Sequence, residues 1–231
     1  MRLLSSILVA LGCVAGSAWA ADELASGGGS VPYLLTTSGS PPSYAVILMP
    51  GGPGILDPRV SNGKLTFRAG GNFLIRSRAL FATGPFVAAS TDATTSPDRI
   101  LAIVGDLQRR FGPLRVYVIG TSRSTDSTMA LSTPLDGKVA GFVHTSSMSA
   151  IASFDPRKFR SRHLIVLHRM DACRVTRPSA GEASHRNYDT ELIEVEGGKS
   201  TGDDCEAFAH HGYNGIERET VDKIKAWIAA K

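Results

Sequence analysis

The stretch that most constrains the fold is Val116-Tyr117-Val118-Ile119-Gly120-Thr121-Ser122-Arg123-Ser124. Its apolar run reads as a buried strand that stops at Gly120. A small polar turn follows with Ser122 at its centre, and Thr125 to Leu131 can carry a helix. Strand, tight turn with a central serine, helix is the layout of a nucleophile elbow, which lifts the hydroxyl clear of a sheet. Strand and helix approach closely there, so the flanking residues must be small. Gly120 meets this requirement fully. Ser124 stands where the usual pattern has a second glycine, a departure from it.

The glycine-rich stretch Pro50-Gly51-Gly52-Pro53-Gly54 directly follows a second apolar strand, Tyr44 to Met49. A serine nucleophile needs backbone N–H donors aimed at the oxyanion it creates. One comes from the residue after the nucleophile, here Arg123, and the other from a loop after an early strand. Gly51 and Gly52 are placed for that second role. No Gly-Lys-Ser/Thr follows, so a phosphate loop is not indicated.

Around these two loops, strands and helices alternate. Short apolar strands are expected at Tyr33 to Thr36, Phe86 to Ala89, Val139 to His144, Leu164 to Leu167 and Glu191 to Val195. Asn72 can cap a helix over Phe73 to Ala82, with Arg76 and Arg78 facing solvent. Pro97 opens a helix reaching about Arg110, with Ile100, Leu101, Val104, Leu107 and Phe111 on its core face. The last helix runs from Glu217 to about Ala230. Ile55 to Gly71 is turn-rich and carries no clear element. This order predicts an α/β fold, a mostly parallel sheet with helices on both faces, whose site lies at the C-terminal strand ends. Only Thr145 to Arg162 separates two consecutive strands there, leaving little room for a large lid domain.

The N-terminus reads as a signal peptide over residues 1–20. Arg2 is the positive end, Leu3 to Val14 is apolar but short for a bilayer, and Ala18-Trp19-Ala20 is a cleavage site. A lipoprotein site at Cys13 is the rival, but Ala10-Leu11-Gly12 fits that pattern poorly. Residues 21–31, ending in Ser-Gly-Gly-Gly-Ser, read as a flexible lead-in. A periplasmic or secreted domain over 32–231 follows. Cys173 and Cys205 then remain, an even pair that reads as a disulfide in an oxidising compartment. Two cysteines do not make a four-ligand zinc site, so neither a metal nor a cofactor is expected. A net charge of +4 with dispersed arginines gives no nucleic-acid footprint.

From Tyr33 onward the chain resembles the α/β-hydrolase family, and within it a group of small exported bacterial serine hydrolases. The stretches that carry the resemblance are Met49-Pro50-Gly51-Gly52-Pro53-Gly54, Asn72-Phe73-Leu74-Ile75-Arg76-Ser77-Arg78, Gly120-Thr121-Ser122-Arg123, His168-Arg169-Met170-Asp171-Ala172-Cys173 and His211-Gly212-Tyr213-Asn214-Gly215-Ile216-Glu217. The resemblance implies Ser122 as nucleophile, Asp171 as acid and His211 as general base, in that chain order. His210 is the rival base, and Asp203 and Asp204 are rival acids. The resemblance implies this mechanism and names no substrate; the leading expectation is a serine hydrolase acting through an acyl-enzyme on an ester or other small-molecule substrate, a carboxylesterase. Thioesterase, amidase and peptidase chemistry remain open, as does a non-catalytic binding protein on the same fold. Under this reading the Cys173–Cys205 bridge ties the acid loop to the histidine loop.

Overall fold

The computed structural model describes residues 20–230. The expected signal peptide, apart from Ala20, lies outside the described residues. In chain order the elements are β1 (Ala21–Gly27), β2 (Val31–Thr37), β3 (Tyr44–Met49), β4 (Arg59–Ser61), β5 (Lys64–Thr66), α1 (Phe73–Arg76), α2 (Arg78–Phe81), β6 (Phe86–Ser90), α3 (Pro97–Phe111), β7 (Arg115–Thr121), α4 (Ser124–Ser132), β8 (Gly141–Thr145), β9 (Arg162–His168), α5 (Pro178–Tyr188), β10 (Glu191–Val195) and α6 (Glu217–Ala229). The main sheet has eight strands in the order β1-β2-β6-β3-β7-β8-β9-β10. Pairing is parallel from β6 to β10, while β1 and β2 are antiparallel to their neighbours. The expected fold class is therefore what the chain adopts: a mostly parallel sheet, helices on both faces, no large lid.

Alternation along the central strands divides the core in two, as the pleat requires. Ala45, Ile47 and Met49 of β3 and Val116 and Val118 of β7 pack on one face with Ile100, Ile103, Leu107 and Leu131 of α3 and α4. Val46, Leu48, Tyr117 and Ile119 point the other way, onto Phe73, Leu74, Phe81, Val221, Ile224 and Ile228 of α1, α2 and α6. Capping matches the sequence at two starts. Asn72 accepts from the Leu74 N–H, and Ser96 accepts from the Arg99 N–H ahead of Pro97.

Three segments differ from expectation. Residues 21–27 are no flexible lead-in; they form β1, in full register with β2 from Ala21↔Thr37 to Gly27↔Val31. Gly28 and Gly29 make the turn between them with φ of 55° and 79°. The polarity that suggested a linker is that of an edge strand, buried only at Ala25 and Gly27. The helix expected over Phe73 to Ala82 breaks at Ser77 into α1 and α2. Finally, Pro178–Tyr188 is a helix that the sequence pattern did not signal.

Candidate active site

Ser122 sits at φ 54° between β7 and α4, in the left-handed region that costs a side-chain-bearing residue energy. Its N–H donates to Thr145 O at 3.0 Å, and its carbonyl accepts from Thr125 Oγ1 at 2.6 Å and Thr125 N at 2.9 Å. The tight geometry leaves no space at Gly120, where a Cβ would lie 2.6 Å from Ser124 O. Ser124, the departure from the usual pattern, is accommodated. Its hydroxyl accepts the Thr121 N–H at 2.8 Å and has two carbonyls in reach of its own proton, Met49 O at 2.8 Å and Thr121 O at 2.9 Å. It thus carries the β3–β7 ladder one rung beyond Met49↔Gly120.

Gly51 packs directly on this turn. A Cβ there would stand 2.8 Å from Thr121 O and 2.9 Å from Ser122 Cβ, so only glycine allows the approach. Gly52, at φ 61°, faces open space. Among the described residues, the backbone N–H groups of Gly51, Gly52 and Arg123 donate to no protein acceptor; Gly52 and Arg123 are exposed.

Asp171 and His211 meet. His211 Nδ1 donates to Asp171 Oδ2 at 3.0 Å, and both residues are 5% exposed. The tight turn after β9 delivers the carboxylate. His168 Nε2 donates to Gly197 O, its Nδ1 accepts from Met170 N, and Asp171 N donates to His168 O. Asp171 Oδ1 then accepts from Cys173 N at 2.9 Å, and Oδ2 from Thr176 Oγ1 at 3.1 Å. The rivals lie elsewhere. The His210 ring stacks on His168 at 4.6 Å, while Asp203 and Asp204 are exposed, Asp203 accepting from Cys205 N.

His211 belongs to a long connection from β10 to α6 whose one regular turn is His210–Gly212. Side chains from four directions hold it. Ser146, after β8 and itself at φ 42°, donates its hydroxyl to His211 O at 2.7 Å. The Tyr213 hydroxyl donates to Val166 O and accepts from Ser146 N. Arg76 donates to Gly212 O at 2.6 Å while paired with Glu217 at 2.9 Å. The Cys173–Cys205 disulfide closes the set. Arg76 and Arg78 therefore do not face solvent. The second pairs with Asp22 of β1, and their side chains are 16% and 19% exposed. Ser146 and Tyr213 carry no sequence signal for these roles, because each acts through a contact far away in the chain, and Thr176, five residues from Asp171, belongs to no motif that marks its contact.

Ser122, Arg123, Gly51, Gly52 and His211 line one cavity of about 580 Å³, walled further by Met148, Val175, Phe208 and the disulfide. No hydrogen bond joins Ser122 Oγ to His211 among the described residues. A depression of about 700 Å³ over Gly215 to Ala226 contains charged surface side chains and no serine, cysteine or histidine.

The structure is that of an α/β hydrolase in fold, of the type without a lid. It superposes on a serine hydrolase without lid from Xanthomonas campestris with a TM-score of 0.57 and 8% identity, over 88% of this chain and 94% of the other. A dienelactone hydrolase from Anabaena variabilis matches with a TM-score of 0.61 and 11% identity, over 90% and 96%. A cold-adapted esterase from an Arctic intertidal metagenomic library gives 0.56 and 12%, over 88% and 91%. The sequence itself matches no family model and no curated protein.

Proposed function

We propose that this chain is an exported serine hydrolase that cleaves small esters through an acyl-enzyme. Ser122 attacks the carbonyl carbon, and His211 Nε2 takes the hydroxyl proton and returns it to the leaving alcohol. Asp171 holds Nδ1–H, keeping Nε2 free as the base and stabilising the imidazolium. The N–H groups of Gly52 and Arg123, beside Gly51, receive the oxyanion. Water then repeats the sequence on the acyl group.

The observation that carries this reading is the strained Ser122 in a cavity shared with a histidine already bonded to a buried aspartate. Catalytic hydrogen bonds are commonly long without substrate and tighten when it binds, so Ser122 and His211 need not be bonded in the free protein. Esters are favoured because two of the proteins of similar fold are described as esterases. Export is supported by the disulfide and by the start of β1 at Ala21, so that cleavage after Ala20 keeps the sheet whole.

A fluorophosphonate probe tests the assignment. The native mature protein labels, while Ser122→Ala and heat-denatured protein do not. A folded, disulfide-intact protein that fails to label would instead be a binding protein on this fold.

A further inference from the structure

Asp171, Cys173 and His211 are all buried, and each offers a ligand atom within 4.8 Å of the other two. A carboxylate, a sulfur and an imidazole that close are three quarters of a tetrahedral zinc site. The sulfur is tied up in the disulfide, and only a thiolate ligates. Its partner is the missing fourth group. Cys205 lies bonded beside it, is exposed, and lines the same cavity.

We propose that the reduced protein binds one zinc ion between Asp171, Cys173, Cys205 and His211, and that the ion switches the site off. The inhibitory half rests on the hydrolase reading; the metal site does not. A dithiol reductant supplies the reducing step. One of its thiolates attacks the exposed Cys205 sulfur, and Cys173 leaves as thiolate. Its second thiol then closes the reductant's own disulfide and releases Cys205. Two electrons and two protons pass to the protein, and zinc displaces both thiol protons into solvent.

The geometry requires little movement. Zn–S bonds of about 2.3 Å in a tetrahedron set the two sulfurs ~3.8 Å apart. Cys205 can retreat that far, because it belongs to an exposed run from Thr201 to Glu206. Asp171 Oδ2 and His211 Nδ1, at 3.0 Å, need only open slightly. Two thiolates favour zinc over magnesium or calcium, which select oxygen. Ligation has a chemical consequence for His211. Nδ1 must give up its proton, which the neutral ring then carries on Nε2. An imidazole protonated at Nε2 has no lone pair to accept the Ser122 proton, and Asp171 no longer orients it.

The test uses the mature chain, reduced with dithiothreitol and desalted without oxygen, then titrated with Co²⁺. We expect one cobalt per chain, with a thiolate charge-transfer band and tetrahedral d–d bands, displaced by zinc. Oxidised protein and Cys173→Ser/Cys205→Ser lack those bands. Asp171→Ala or His211→Ala weakens zinc binding by at least ~10-fold, since even outer-shell partners are worth 10–100-fold. A reduced chain without the charge-transfer band overturns the proposal, as does oxidised protein that binds zinc equally well. Zinc should abolish ester hydrolysis by reduced protein and spare the oxidised form; hydrolysis that persists with zinc bound overturns the switch. Because the cobalt spectrum needs no turnover, a protein that binds the metal yet never labels with fluorophosphonate refutes the hydrolase reading alone.

Discussion

At the scale of single residues, Ser124 replaces a glycine and improves the turn it occupies. The hydroxyl takes the Thr121 N–H, which would otherwise be a buried donor at the end of a ladder. Ser124→Gly, although it restores the usual elbow pattern, should lower stability by about 1–3 kcal/mol, the cost of an orphaned buried donor. Urea unfolding measures this, and Ser124→Ala separates the lost hydroxyl from glycine's backbone entropy. A glycine variant as stable as the parent and faster in turnover would mark Ser124 as a defect instead. Ser146 poses the opposite case. Its φ of 42° suits glycine, but its hydroxyl holds His211 O. In Ser146→Gly the relieved backbone strain, roughly 1–2 kcal/mol, offsets the lost hydrogen bond. Stability should thus stay within about 1 kcal/mol while kcat falls ~10-fold or more at unchanged KM, since an ångström of misplacement can cost ~10². An unaltered kcat would remove Ser146 from the positioning of His211.

Elements show why parts of this fold were legible in the sequence and parts were not. Strands β3, β7 and β9 are apolar on both faces and end at loops, so the edge bearing Ser122, Asp171 and His211 could be read directly. Helix α5 could not. Its buried positions are Gly181 and Ser184, and a Cβ at Gly181 would already touch Ile165 and Leu167 at 3.0 and 3.1 Å. The apolar half of that contact belongs to β9, and the helix contributes smallness, which leaves no periodic stripe. Hairpin β4–β5 has almost no core face either. Its Asn62-Gly63 turn, both residues at positive φ, was the one signal available. The connection carrying His211 is a different case, because its order comes from distant anchors. Arg76 alone bonds Gly71 O, Gly212 O and Glu217. Arg76→Ala should cost about 2–3 kcal/mol, less than for a fully buried pair because both partners keep some solvent. It should also reduce kcat more than Glu217→Gln, which leaves the Gly212 bond in place. Equal kcat losses in the two variants would show that the Gly212 contact does not hold the histidine.

The molecule as a whole should be sensitive to acid for a reason outside the active site. His144 of β8 and His163 of β9 lie edge to edge in the core, their rings within 6° of parallel and joined Nε2 to Nδ1 at 3.2 Å. Phe142, Phe154 and Phe159 surround His163. Thr128 Oγ1 lies 2.8 Å from His144 Nδ1, and in either tautomer of the pair the chain of hydrogen bonds ends at His163 Nε2, which is buried with no partner among the described residues. A proton added there would be a charge in an apolar box. Burial pushes the His163 pKa down to about 4, against a small opposing pull from Asp136, and drives His144 well below its usual value. The unfolded chain binds these protons near pH 6.5 and the folded chain does not, so stability is complete above that pH. It falls as the pH drops from 6.5 to about 4. His163 alone accounts for about 3 kcal/mol across that window. Urea unfolding of disulfide-intact protein at pH 7, 6 and 5 should show the decline, and His163→Phe should make it shallower, leaving the part that His144 contributes. Above pH 5 few carboxylates titrate, so the slope there belongs to the histidines. A variant that keeps the parent slope would place the acid sensitivity elsewhere in the molecule.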